Sequence, residues 1–131
     1  MSGRWVAAAL VCALASGCAS GLGRPIVAAD AVTDARGVQQ VDVDLHSFYF
    51  APNRIVVHVG RPVELTLRNR SLFVPHNFTI ADASLSVSAG KWGAGAHHVR
   101  FIPVHTGEYQ FFCHVDGHAK KGMTGTLVVV P

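Results

Sequence analysis

Alternation of apolar and polar residues is the dominant pattern from residue 41 to the C-terminus. Residues 41–46 read Val-Asp-Val-Asp-Leu-His, and residues 63–68 read Val-Glu-Leu-Thr-Leu-Arg. A period of two places successive side chains on opposite faces, so each segment predicts a half-buried β-strand. Shorter apolar runs predict further strands at 55–59, 78–80, 98–102, 109–113 and 126–130.

Turn-forming residues separate these segments. Pro52-Asn53 and Gly60-Arg61-Pro62 end two of them, and residues 81–95, rich in Ala, Ser and Gly, predict a loose connection without a strand. No segment has a sustained helical period. Short strands with turn signals roughly every 8–12 residues are typical of an antiparallel β-sandwich, here with about seven to eight strands.

The first 40 residues have a different composition. An apolar run at 6–11 follows Arg4 and precedes small residues, and it is too short to cross a bilayer, which takes about 20 residues. This is typical of an export signal, which we assign to residues 1–17. Residues 18–40 are small and polar, and they predict a flexible tether with an end-to-end distance of roughly 25 Å. The folded domain is predicted over 41–131.

The residues around Cys18 leave two interpretations of the leader open. Ala15-Ser16-Gly17-Cys18 resembles the lipobox of bacterial lipoproteins, in which the cysteine is acylated and becomes the first residue. Acylation of Cys18 would tether an exported protein to a membrane, in the periplasm or at the cell surface. The alternative is ordinary cleavage after a small residue, which leaves a soluble secreted protein.

Composition and charge exclude several classes of function. Half of the 131 residues are apolar and 15% are charged, which excludes a disordered chain. The net charge is +3, and removing the leader takes away Arg4 and no acidic residue, so the charge is too small to suggest nucleic-acid binding. Cys12 would leave with the leader. Cys113 is then a lone thiol of the domain in an oxidising compartment, where burial, a metal or a reaction must protect it.

Four potential metal ligands fall near the ends of predicted strands. Cys113, His118 and Met123 have the spacing C-x4-H-x4-M between two β-rich runs, and His76 stands at the head of an earlier strand. Two imidazoles, one thiolate and a weak thioether form the ligand set of blue copper sites. The sulfur ligands stabilise Cu(I), and the imidazoles keep Cu(II) acceptable.

Each of the four residues also has an ordinary structural explanation. Alone, Cys113 would be a small buried apolar residue, His118 a surface histidine, Met123 a core side chain and His76 a loop residue. Zinc prefers a closed set of Cys and His ligands, with which Met is a poor partner. A cysteine protease needs a Cys–His pair oriented by a third residue. The four residues together favour copper over these alternatives.

The motifs VPHNFTI at residues 74–80 and GEYQFFCHVDGHAKKGMTGTLVV at residues 107–129 resemble the cupredoxin family of small blue copper proteins. The resemblance covers roughly 41–131 and implies a Greek-key β-sandwich holding one type 1 copper ion. It implies His76, Cys113 and His118 as equatorial ligands and Met123 as the axial ligand. It further implies that Asn77 hydrogen-bonds the two ligand segments together, and that the electron leaves through His118.

The function implied by this resemblance is single-electron transfer by a monomer, without catalysis. Partners would be a redox protein donor and acceptor that dock briefly, around Leu72, Phe73, Pro75 and Ala119. Lys120 and Lys121 would attract an acidic partner, or they are simply solvated charges. The alternatives are a copper carrier or sensor that passes the ion, and a small redox enzyme, against which Met123 argues by occupying the axial position.

Overall fold

The computed structural model describes residues 23–131, which form two β-sheets. The predicted leader (1–17) and Cys18 lie outside the described residues. Eleven strands and one short 3₁₀ turn are present in the described part: β1 Ala28–Asp30, β2 Val32–Thr33, β3 Gln39–His46, β4 Tyr49–Ala51, β5 Arg54–His58, β6 Val63–Asn69, β7 His76–Ala81, β8 Ser86–Trp92, β9 Gly95–Phe101, β10 Gly107–Phe112, the 3₁₀ turn Ala119–Lys121, and β11 Thr124–Val130. No helix in this part of the chain is long and apolar enough to cross a bilayer.

The strands are ordered β1-β5-β11-β10-β7-β8 in one sheet and β2-β3-β6-β9 in the other, with β4 paired to β3. The predicted all-β sandwich is confirmed, although it has more strands than the seven to eight predicted. The pairs β1–β5, β5–β11 and β3–β6 are parallel, so the sheets are mixed and not purely antiparallel. Alternation within one strand reports which face is buried, but it does not report the direction of the partner strand.

The core lies between the sheets and contains the inward-facing residues of the alternating strands. Leu45 of β3 and Leu67 of β6 are fully buried, as the alternation predicts. Phe50, Phe78 and Phe111 form an aromatic cluster, with ring centroids 5.0 to 5.8 Å apart. Aromatic contacts at these distances stabilise a core beyond their buried area, by about 0.5–1.5 kcal/mol each. This cluster lies under the strands that lead to the cysteine and to His76.

The prediction of a flexible tether over 18–40 is wrong for residues 28–40. Strands β1 and β2 lie within this range, and β3 begins at Gln39. Asn53 fixes the entry of the segment, because its side chain accepts a hydrogen bond from the Val27 backbone N–H (2.8 Å) and donates one to the Pro25 carbonyl (3.0 Å). These contacts use backbone groups, so the segment pairs with the sheets without an apolar period that sequence analysis could detect.

The loose connection predicted over 81–95 is also wrong, because it contains strand β8. This strand pairs antiparallel with β7, and its side chains Val87, Ala89 and Trp92 are buried. Its small Ser, Ala and Gly residues are weak strand formers, and the strand is held by pairing and burial instead. The register with β7 shifts between His76 and Phe78, so β7 is irregular at the histidine.

The order of the strands brings the candidate ligands to one end of the six-stranded sheet. β7 begins at His76, and β10, which pairs with β7, ends one residue before Cys113. β10 also pairs with β11, so the connection 113–123 starts and finishes at the same end of the sheet. The fold therefore brings His76 close to this connection, although they are far apart in the chain.

Gly125 leaves no room for a side chain in this pairing. A Cβ atom there would overlap the Phe111 ring and lie 2.7 Å from the Asn53 carbonyl oxygen. We expect Gly125→Ala to lower the free energy of unfolding by about 1–3 kcal/mol, measured by urea denaturation, because the core must shift to accept it.

Gly90→Ala is the matched control, since Gly90 lies in β8 and a Cβ there has no neighbour within 4 Å. Equal stability of the Gly125→Ala and Gly90→Ala proteins would contradict the close packing of β11 on Phe111.

Candidate metal centre

Three side chains that can bind a metal converge at this end of the sheet. The ligand atoms of His76, Cys113 and His118 all lie within 4.8 Å of one another. Cys113 Sγ is 3.5 Å from Nδ1 of His118 and 4.0 Å from Nδ1 of His76. All three residues are buried. Both imidazoles therefore present the same ring nitrogen to the sulfur.

Asn77 links the two segments that carry these residues. Its backbone N–H donates to Cys113 Sγ at 3.4 Å, and its side-chain oxygen accepts a hydrogen bond from the His114 backbone N–H at 2.8 Å. Asn77 is itself buried. The two bonds together fix the cysteine relative to β7.

The connection between β10 and β11 is folded tightly by its own backbone. The Cys113 N–H donates to the Met123 carbonyl and the Met123 N–H donates to the His118 carbonyl, each at 3.1 Å. Gly122, which ends the short 3₁₀ turn, has a φ of 97°, a conformation that favours glycine. Met123 is fully buried. The backbone of Met123 thus contacts both Cys113 and His118, and this compact loop carries three of the four predicted ligands.

The electrostatic environment keeps both imidazoles neutral. Burial, followed by the nearby His118 and His46, lowers the pKa of His76 to about 4. Burial and then the Lys121 ammonium lower the pKa of His118, while Asp116 acts in the opposite direction. A neutral imidazole has a free lone pair on one ring nitrogen, as a metal ligand requires. Both residues can therefore bind a metal at neutral pH.

The chemistry of the donor set fits copper. One thiol sulfur and two imidazole nitrogens are buried together, and within residues 23–131 no carboxylate belongs to the cluster. Soft sulfur with imidazole suits copper, whereas magnesium and calcium need oxygen ligands. A closed structural zinc site would need a fourth strong ligand of the Cys or His type, and the cluster supplies three such residues.

Two further residues, which are not candidate ligands, contact the rings of His76 and His118. Ser71 Oγ lies 3.1 Å from Nε2 of His76, within hydrogen-bonding distance. The ring of Phe48 lies over His118, with 4.6 Å between the ring centroids. The sequence analysis did not assign either residue to the site, because neither belongs to a motif; Ser71 is five residues before His76, whereas Phe48 reaches His118 from a distant part of the chain.

The surface around the site combines apolar and basic residues. Phe73 is 93% exposed and Leu72 is 77% exposed. A cleft of about 470 Å³ lies beside the connection that carries His118, and its lining includes Arg24, Lys120 and Lys121 but no acidic residue. Gly23 and Pro25 also line this cleft. The first described residues of the chain therefore lie next to the 3₁₀ turn.

Comparison with known proteins agrees with this fold. The family model of the Cupredoxin-like domain matches residues 6–129. No curated protein matches the sequence.

Similar solved structures cover most of this chain. Reduced auracyanin from Roseiflexus castenholzii has a TM-score of 0.66 at 19% identity, over 77% of this chain and 99% of its own. Auracyanin A, a "blue" copper protein from Chloroflexus aurantiacus, has a TM-score of 0.64 at 20% identity, over 72% of this chain and 100% of its own. The metal-binding domain of the Cu(I)-exporting P-type ATPase CopA from Streptococcus pneumoniae has a TM-score of 0.63 at 19% identity, over 79% of this chain and 96% of its own.

The low pKa of His76 predicts that the metal-free protein loses stability in mild acid. The unfolded chain binds a proton at an ordinary histidine pKa of about 6.5, while the folded protein does so only near 4. The stabilisation is therefore complete above pH 6.5 and is lost as the pH falls toward 4, by about 2–3 kcal/mol. Urea denaturation of the metal-free protein between pH 7.5 and 4 measures this loss.

His76→Asn should flatten this pH dependence, whereas the exposed His105→Asn should leave it unchanged. Parallel curves for wild type and His76→Asn would show that another group is responsible.

Proposed function

This chain belongs to the cupredoxin-like family, and from that membership we propose that it carries single electrons outside the cytoplasm as a mononuclear blue copper protein. Its cofactor is one type 1 copper ion. The observation that carries the proposal is the buried convergence of Cys113 Sγ with the Nδ1 atoms of His76 and His118. In the proposed site these three residues would be the strong ligands of the copper, and Met123 would be a weak fourth ligand. Bound copper supplies a reversible Cu(II)/Cu(I) couple in such a set.

The protein's part in electron transfer is to hold these donors in one arrangement. The bonds of Asn77 to Cys113 and His114, and the backbone bonds of Met123, already exist without metal. A donor set held in this way moves little when the charge at its centre changes. Little rearrangement means a small barrier to the transfer of one electron.

The burial of the site supports a carrier and not an enzyme. His76, Cys113 and Met123 are fully buried, and His118 is only 7% exposed. A substrate would have to displace one of these side chains to reach the centre. An electron needs no such opening, and His118 is the proposed exit because it is the most exposed of the four.

The surroundings of His118 support brief docking to other redox proteins. Leu72 and Phe73 are exposed apolar residues in the segment before β7. Lys120 and Lys121 add positive charge that would speed the encounter with an acidic partner. We propose a monomer that meets its donor and acceptor transiently through a small patch.

The leader supports an extracytoplasmic location. Residues 1–17 have the features of an export signal, and Cys18 stands where bacterial lipoproteins are acylated. We propose that the protein is held at a membrane through Cys18. Mass spectrometry of the protein purified from membranes should find an acyl group on Cys18. In fractionation, Cys18→Ser should release the protein into the soluble fraction.

A copper carrier or sensor is the second candidate function. The observation that favours it is the similar fold of the CopA metal-binding domain, whose protein exports Cu(I). Against it, the donors here are closed off by burial and by hydrogen bonds, which slows release of the ion.

The electronic spectrum of the copper-loaded protein tests the proposed ligands. We expect an intense visible band from thiolate-to-copper charge transfer, which Cys113→Ser abolishes. Met123→Leu, a nearly isosteric change, should keep the band and raise the reduction potential by about 59 mV, a tenfold change in the one-electron equilibrium constant. An unchanged potential in Met123→Leu would remove Met123 from the coordination sphere.

The rate at which the copper is reduced and the rate at which it is lost to a chelator distinguish the two candidate functions. We expect stopped-flow reduction of the Cu(II) protein to be complete before a mild chelator removes a detectable fraction of the metal. Copper loss at the rate of reduction, or faster, would favour ion handling over electron transfer.

A further inference from the structure

Phe48 lies in the turn between β3 and β4 and contacts both candidate imidazole ligands. Its ring centroid is 4.6 Å from that of His118, at an interplanar angle of 57°. It is also 6.3 Å from that of His76, in an edge-to-face arrangement at 83°. Both distances fall within the range of attractive aromatic contacts. One side chain from a distant part of the chain therefore covers two ligands.

Lys121 lies over the same aromatic ring. Its Nζ is 4.0 Å from the Phe48 ring centroid, which is a cation–π contact. The Lys121 backbone N–H donates to the His118 carbonyl at 3.0 Å, so the short 3₁₀ turn fixes the backbone of Lys121 relative to His118. The ammonium is thus held close to the site by the ring that covers His118.

The turn that carries Phe48 is also tied to His76. Ser47 Oγ lies 2.9 Å from Ser71 Oγ, which in turn lies 3.1 Å from Nε2 of His76. Phe48 itself is half-buried and packs against the core. The ring is therefore held from two sides, by the hydroxyl chain at Ser47 and by the ammonium of Lys121.

We propose that Phe48 and Lys121 form a cover that fixes the His118 ring and raises the reduction potential of the site. The inference rests on the proposed function, since it concerns the same copper centre. The apolar ring excludes water from the imidazole that it covers, and water stabilises the more highly charged oxidised state. The nearby ammonium also disfavours the oxidised state by charge repulsion. Both effects favour the reduced protein. Phe48 is a positioning residue here, because it acts through His118.

The first test uses the metal-free protein and needs no copper. The Phe48 ring should shift the NMR signals of the His118 ring protons, because aromatic rings change the local magnetic field. We expect Phe48→Ala to move and broaden these signals, and Phe48→Tyr to restore them. Unchanged His118 signals in folded Phe48→Ala would overturn the contact. Phe48→Leu, which keeps an apolar side chain, serves the same purpose if the alanine variant does not fold.

The second test is the reduction potential of the copper-loaded variants. We expect Phe48→Ala to shift the one-electron equilibrium about tenfold toward the oxidised form, and Lys121→Gln about threefold. Lys120→Gln is the matched control, because it removes the same charge from the adjacent residue of the same turn; both lysines are exposed, and Lys121 is the one that contacts the Phe48 ring. It should shift the equilibrium less than half as much as Lys121→Gln on a logarithmic scale.

The two tests fail separately. Equal shifts for Lys120→Gln and Lys121→Gln, or an unchanged potential in Phe48→Ala, would overturn the proposed role of the cover. A wild-type protein that binds no copper would contradict the proposed function. The NMR experiment would still decide whether Phe48 holds His118.

Discussion

The two hydrogen bonds of Asn77 connect the halves of the metal centre. β7 and β10 are paired at Phe111–Ile80 and Phe112–Thr79, and the ladder stops before the candidate ligands. Asn77 extends the connection, through its backbone to Cys113 Sγ and through its side chain to the His114 N–H. These two bonds add to the contact between Thr79 Oγ1 and His114 Nδ1 at 3.0 Å, which also joins the loop to β7. The buried Asn77 thus helps to set the spacing between the Cys113 sulfur and the His76 imidazole.

Burial gives the site its chemical character. Two imidazoles with lowered pKa values and one thiol are enclosed at the end of a sandwich, away from water. The same enclosure makes the donors available at neutral pH and limits the access of small molecules. At the edge of this enclosure the surrounding side chains control the local dielectric environment.

The sequence was sufficient to predict the strands in which apolar and polar residues alternate and the segments that carry a ligand motif. The alternation at 41–46 and 63–68 predicted β3 and β6, and the motifs around His76, Cys113 and His118 predicted all three donors that converge. β1 and β8 were missed, because Ala28–Asp30 and the small residues of β8 are held by backbone pairing and not by a pattern of apolar side chains. Phe48 could not be found, because its contacts with His118 and Lys121 depend on tertiary packing.

The position of Gly23 beside Lys120 and Gly122 has a consequence for the geometry of the whole molecule. The polypeptide enters the domain at the end that carries the donor atoms, and Asn53 clamps it there. Gly23 is five positions after Cys18, a span of at most about 18 Å. An attachment at Cys18 would hold the domain near the membrane by the end that carries the donor atoms. The distance between these atoms and a partner in the membrane would then depend on how the domain rotates about its first described residues.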